Sequence, residues 1–204
     1  MTGKRIGIID YGCGNLLSLH NAINRLNFDV DIVTQPEDVS NYNKLILPGV
    51  GAFDTAANKL YESGFTEKIK NFANNDQNLL IGICVGMQLL CKGSEESKEN
   101  LSGLEFFDLE VRLLKRKHNM RLPNMGWSSV RFEKENFSNL NGDYYFVHSY
   151  AVPYSHISFA VSQYGDEKFS AAIYNGKKIF GFQFHPEKSH KLGLELLSKV
   201  LNIG

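Results

Sequence analysis

Short apolar runs alternate with helically spaced segments through the first half of the chain. Residues 5–9 (Arg-Ile-Gly-Ile-Ile) form the first run, which stops at Asp10-Tyr11-Gly12-Cys13-Gly14-Asn15. Residues 16–26 follow with Leu16, Leu19, Ile23 and Leu26 on one helical face. The runs 29–33 and 44–47 read as strands, the second stopped by Pro48-Gly49-Val50-Gly51. Helical sequence continues through Phe72, broken near Gly64. The run 78–83 then enters Gly82-Ile83-Cys84-Val85-Gly86, and a helix is expected to about Cys91. Strand–helix alternation of this kind predicts a parallel sheet with helices on both faces.

The second half has a different rhythm. Residues 106–114, 126–132, 144–147, 157–163, 171–174 and 178–182 read as strands joined by short turns, and Asn175-Gly176 signals a hairpin. Residues 188–200 close the chain as an amphipathic helix. Residues 1–204 together read as one α/β domain with a mixed or antiparallel extension. There are no repeats, low-complexity linkers or apolar runs long enough to span a bilayer, and no signal peptide is expected.

The segment around Cys84 carries the sharpest chemical signal. A buried strand ends at a cysteine with a glycine two residues to either side, and a helix follows, which is the sequence form of a nucleophile elbow. A Cβ on either flank would clash in so tight a turn. The turn lifts the sulfur over the first N–H groups of the next helix, where donors and dipole favour a thiolate.

Charge narrows the function. Lys plus Arg and Asp plus Glu both number 22, so the formal net charge is zero and nothing points to nucleic acid or an anionic membrane. The basic run Lys115-Arg116-Lys117-His118 reads as a solvated loop or a local contact. Three cysteines without framework spacing argue against a disulfide scaffold and fit a reducing cytoplasm. Histidines and carboxylates lack ligand spacing, so neither a metal nor a cofactor is expected. Free cysteines are more often buried small hydrophobes than nucleophiles, and Cys13 and Cys91 are read so. Gly12-Cys13-Gly14-Asn15 resembles half of a dinucleotide loop, but Leu17 stands where the third glycine belongs, so a tight turn is the better reading.

A thiolate needs an acid–base partner near neutral pH, and histidine suits that task. Gln183-Phe184-His185-Pro186-Glu187 ends an apolar strand and offers one, with a carboxylate two residues on to orient it. Spacing alone leaves Cys84–His185–Glu187 as one possibility. His148, in Phe146-Val147-His148-Ser149-Tyr150, ends another strand and is the second candidate base. His20, His118, His156 and His190 lack such context and read as surface or helix positions.

Three ordered motifs together resemble the class I, triad-type glutamine amidotransferases. Gly-Ile-Cys-Val-Gly-Met-Gln (82–88) is similar to that family's nucleophile motif, Phe-Gln-Phe-His-Pro-Glu (182–187) to its His-Pro-Glu motif, and Pro-Gly-Val-Gly (48–51) to its oxyanion strand. Within the class, the chain most resembles the glutaminase subunits of imidazole glycerol phosphate synthase. That likeness rests on residues 8–15 (Ile-Ile-Asp-Tyr-Gly-Cys-Gly-Asn), 87–90, 122–127 (Leu-Pro-Asn-Met-Gly-Trp), 145–150 (Tyr-Phe-Val-His-Ser-Tyr) and 185–189. Two positions depart from the family pattern: Asn124 stands where histidine is usual, and Ser128 where asparagine usually follows the tryptophan.

The resemblance implies a flavodoxin-like three-layer sandwich, with a mixed central sheet, helices on both faces and an antiparallel extension. It implies that Cys84 attacks the carboxamide of glutamine, that His185 shuttles the proton and that Glu187 orients His185. The oxyanion would be held by the backbone N–H of Val85 and by the strand at Val50 and Gly51. Glutamine would be held by Gly49, Gln88, Tyr145, Ser149 and Tyr150. The implied partner is a (βα)8-barrel cyclase that takes the ammonia in histidine biosynthesis, met by Asn15, Met125, Trp127 and Lys188 in a heterodimer. Similar subunits serve bacterial surface-sugar pathways, and a non-catalytic regulatory subunit is a further alternative. The cysteine hydrolase and deglycase group shares the elbow but places histidine after the cysteine, where this chain has Val85. The glutaminase of pyridoxal phosphate synthesis lacks the motifs at 122–127 and 145–150.

Overall fold

The computed structural model describes residues 5–115 and 121–203, so Arg116, Lys117 and His118 of the basic run lie outside the described residues. In chain order these residues form β1 (Ile6–Ile9), α1 (Leu16–Asn24), β2 (Val30–Val33), β3 (Lys44–Leu47), α2 (Phe53–Glu62), α3 (Phe65–Ala73), β4 (Leu79–Ile83) and α4 (Val85–Leu89). There follow β5 (Cys91–Ser94), β6 (Phe107–Leu113), β7 (Asn124–Phe132), β8 (Gly142–His148), β9 (Tyr150–Ala151), β10 (Ser158–Tyr164), β11 (Glu167–Tyr174), β12 (Ile179–Phe182) and α5 (His190–Leu201).

The unbroken apolar runs are the strands with two covered faces: β1, β3, β4 and β12 are buried at every position. They are the centre of a nine-stranded sheet ordered β2-β1-β3-β4-β12-β11-β10-β7-β8. From β2 to β12 each pairing is parallel, and from β12 to β8 each is antiparallel. The sheet is therefore mixed with an antiparallel extension, as the change of rhythm along the chain predicts. A small second sheet joins β5, β6 and β9.

The antiparallel half does not run straight on. It curls back, so that the last strand, β8, returns beside the end of β12. His185 N donates to Tyr145 O at 2.9 Å, and Phe184 packs on both Tyr144 and Phe146. An interlocked aromatic cluster fills the inside of the curl, with Phe159 against Phe132, Phe137 and Phe180. Edge-to-face pairs such as these add to the burial of the rings.

Among the boundaries that differ from the expected ones, three have a cause in the chain around them. The helix after Cys84 ends at Leu89, and Cys91 opens a strand that the sequence pattern did not suggest. The cause is competition for the helix's last carbonyls. Leu104 N bonds Leu89 O at 2.7 Å and Glu105 N bonds Cys91 O, so the segment after residue 102 takes the place of another turn. At the other end, residues 186–188 form a separate 3-10 turn, and α5 starts at His190, whose φ of 48° re-aims the chain. β11 starts at Glu167 rather than 171, because a two-residue turn at Gly165 lets its polar first residues pair with β10.

The glycines around Cys84 serve close packing. A Cβ on Gly82 would sit 2.6 Å from Gly86 O, and one on Gly86 would sit 1.9 Å from Leu47 O. Both contacts are with backbone, which cannot swing aside. Gly86→Ala is therefore expected to destabilise the fold by about 3 kcal/mol, read as a lower denaturant midpoint at unchanged slope.

Candidate active site

β4 delivers Cys84 to the tip of the sheet. Cys84 N donates to Phe182 O at 2.7 Å, which continues the β4–β12 pairing to the last residue before the turn. The chain then reverses through φ 56° and ψ −114° at Cys84. A non-glycine residue in such a conformation costs about 1–3 kcal/mol, strain that concentrates at functional sites. The sulfur is nearly buried, 3.8 Å from Val147 O and 4.0 Å from Gln183 Nε2. Residues 48–51 cross directly above: a Cβ on Gly49 would lie 2.5 Å from Gly86 N and 2.9 Å from Val85 C. Gly49 is buried there, whereas Val50 and Gly51 are exposed at the rim, Gly51 with φ +89°.

The curl of the sheet brings the histidine. His185 is anchored by its N–H to Tyr145 O, and Ser189 Oγ closes the segment by donating to His185 O while accepting from Tyr145 N. His185 Nδ1 lies 2.9 Å from Glu187 Oε1, and the two side chains are 5 % and 1 % exposed. Burial pulls the imidazolium down, but hydrogen bonds to Cys84 and Glu187 and the negative charge of both outweigh it and push His185 up to about 10. The structure thus brings Cys84, His185 and Glu187 into one buried group.

His148 is nearby but already engaged. Its Nδ1 donates to Tyr150 O at 3.0 Å, and its Nε2 faces Asn124 Nδ2 at 3.2 Å. Burial pushes it down to about 4. Cys91 is buried, and its thiol is pushed up to about 12. Cys13 is also buried. Gly12 and Gly14 have positive φ, and Asn15 Oδ1 caps α1 by accepting from Ser18 N, so the 12–15 segment is a tight turn.

The residues expected to hold glutamine divide into two groups. Gln88 is buried beside the sulfur, with Nε2 donating to Tyr150 O at 3.0 Å and to Gln183 Oε1 at 3.2 Å. Among the described residues nothing hydrogen-bonds Gln88 Oε1, which leaves an acceptor to offer. Tyr150 contributes its carbonyl, and half-buried Ser149 uses its own carbonyl to accept from Leu114 N. Tyr145 instead turns its ring to a surface cluster, edge-on to Trp127 at 6.0 Å and under Lys188 Nζ at 5.8 Å.

That cluster is apolar and open. Met125 is 64 % exposed and Trp127 48 %, on alternate positions of β7, and Leu17 is 69 % exposed on α1, which packs against the 186–188 turn. Trp127 stacks on His190, the exposed first residue of α5, with ring centroids 4.9 Å apart and planes 10° apart. Exposed large aromatics beside a buried reactive group suit a docking partner better than solvent.

Two residues of the site escaped sequence reasoning. Tyr11 is buried and donates its hydroxyl to Pro48 O at 2.7 Å, pinning the root of the 48–51 segment; burial raises its phenol above the usual range. Gln183 touches the sulfur. A polar residue inside an apolar strand end was the available signal for it. Among the described residues no group of three or more His, Cys, Asp or Glu side chains is placed to hold a metal, and no helix is long and apolar enough to cross a membrane.

A family model described as glutamine amidotransferase class-I matches residues 7–202. The imidazole glycerol phosphate synthase subunit HisH of Methanopyrus kandleri is 40% identical over 200 residues, covering 97% of each chain. The protein of the same name from Leptospira borgpetersenii is 38% identical over 97% of this chain and 100% of its own. Among solved structures, one described as a glutamine amidotransferase superposes with a TM-score of 0.75 at 18% identity, covering 97% of this chain and 99% of that one. PurLQS from Thermotoga maritima gives 0.73 at 16% identity, over 98% and 99%. These structural likenesses establish the fold.

Proposed function

The chain belongs to the class-I glutamine amidotransferases, and on that premise we propose that residues 1–204 act as the glutaminase subunit of an imidazole glycerol phosphate synthase. The observation that carries the reading is the buried Cys84–His185–Glu187 group at a strained elbow. In this role it hydrolyses glutamine to glutamate and ammonia. The ammonia passes to a (βα)8-barrel cyclase that makes imidazole glycerol phosphate and AICAR in histidine biosynthesis. Three free cysteines support a reducing compartment, the cytoplasm.

Free glutamine places its carboxamide over Cys84. A cationic His185 beside the sulfur favours the thiolate, which attacks the amide carbon. The backbone N–H of Val85 and those at Val50 and Gly51 receive the oxyanion. Each such donor is worth roughly 3 kcal/mol in the transition state. His185 protonates the leaving ammonia, and a γ-glutamyl thioester remains. Acylation consumes the thiolate, so the upward influence of Cys84 on His185 disappears while that of Glu187 stays. His185 can then take a proton from water, which attacks the thioester and releases glutamate. Gly49, Gln88, Ser149 and Tyr150 hold the substrate, while the Tyr145 ring, turned to Trp127 and Lys188, lies with the partner-facing cluster. Asn15, Met125, Trp127 and Lys188 meet the barrel, and the exposed Met125 and Trp127 support that assignment.

The test is glutamate release by the chain mixed with the histidine-pathway barrel subunit, with and without that subunit's ribonucleotide acceptor. Strong release that needs both is the expected result. Release that needs the partner but ignores the acceptor would move the protein to another synthase, such as a surface-sugar pathway. No release in any assembly would leave a regulatory subunit.

A further inference from the structure

Gln183 has no exposed surface, although it is polar and lies between apolar neighbours. Its Nε2 reaches Cys84 Sγ at 4.0 Å and its Oε1 accepts from Gln88 Nε2. A buried amide can be turned end for end, so only its partners decide which end faces the sulfur. Here the partners decide it one way. The carbonyl of Tyr150 can only accept, and it receives both His148 Nδ1–H and Gln88 Nε2–H. With its hydrogen on Nδ1, neutral His148 leaves Nε2 as an acceptor, and Asn124 Nδ2 fills it. Gln88 is therefore held by its amino group, which also donates to Gln183 Oε1. Gln183 is left with its own amino group against the sulfur.

We propose that Gln183 is a further catalytic residue, the side-chain donor to the Cys84 thiolate, and that Gln88, whose amino group the Tyr150 carbonyl fixes, is the positioning residue that holds the Gln183 amide the right way round. The proposal rests on Cys84 being the nucleophile. A hydrogen bond to an anion is about twice as strong as one between neutral groups, and burial strengthens it further.

The test is alkylation of Cys84 by iodoacetamide across pH, read by mass spectrometry on the full-length chain without glutamine. Gln183→Met and Gln183→Glu both keep the side-chain volume. The alkylation profile is expected to move to higher pH by about one unit in Gln183→Met, the size of one lost bond to a charged group. It should move further in Gln183→Glu, which faces the thiolate with a carboxylate. Turnover of glutamine in the assembled enzyme should fall about tenfold with KM unchanged. Gln88→Met, which leaves Gln183 in place but removes the donor to its Oε1, should move the profile the same way by less, and it serves if the Gln183 variants do not fold. Coincident profiles in folded variants, or Gln183→Glu moving no further than Gln183→Met, would overturn the assignment. Because the alkylation readout uses neither glutamine nor a partner, its failure is distinct from failure of the glutaminase reading.

Discussion

Cys84→Ala is expected to release no glutamate above the buffer rate, a loss of roughly 10⁶-fold in turnover, the size seen when the nucleophile of a catalytic triad is removed. The loss should be complete because no other thiol can substitute. Cys13 and Cys91 are buried, and burial holds the Cys91 thiol far above neutral pH. The defect should also be confined to glutamine. The substitution removes only a sulfur, and alanine keeps the strained backbone that cysteine has. On the proposed function, assembly with the partner subunit should therefore persist, and synthesis driven by added ammonia should run at the normal rate. The measurement is coupled detection of glutamate in the assembled complex, beside product formation from an ammonium salt. Glutamate release within tenfold of the parent enzyme would remove Cys84 from the mechanism.

The elbow was legible in the sequence because its cause is local. Gly82 and Gly86 are required where β4, β3 and α4 cross at backbone contact, and two glycines flanking a cysteine record that crossing directly. The His-Pro-Glu segment was legible for the same reason, since both members of the His185–Glu187 bond lie two residues apart. What the sequence hid depends on contacts between distant segments. Tyr11 meets Pro48, 37 residues away, and Gln183 meets Cys84 across 99. No local period marks a polar residue for such a pairing. His148 looked like a base because it ends a strand. Its fate was decided by Asn124, on the neighbouring strand, and by a backbone carbonyl. The short α4 follows the same rule: its length is set by Leu104 reaching back to its last carbonyl, that of Leu89, while Gly103 and Glu105 pair with the strand that follows.

Glu187→Gln is the second large effect, expected to lower turnover about 10⁴-fold, as replacement of the orienting carboxylate does in serine-protease triads. The amide can still meet His185 Nδ1 at 2.9 Å, so the geometry survives while the charge is lost. It must also place an amino group in a pocket where, among the described residues, Glu187 Oε2 has no partner, or else turn that group against Nδ1 and force the wrong tautomer. The pH behaviour separates this from simple damage. In the parent protein His185 holds its proton more tightly than in the unfolded chain, up to about 10 against an ordinary 6.5. The stabilisation this gives is fully present below the unfolded value and is lost as pH rises through the folded one. Removing the Glu187 charge lowers His185, so the variant should lose less stability than the parent between neutral pH and about 10, and its thiolate–imidazolium pair should break at lower pH. Melting temperatures across that window and the alkaline limb of the turnover profile measure both. A variant that keeps a tenth of the parent's turnover, with an alkaline limb that does not move, would show that Glu187 does not govern His185.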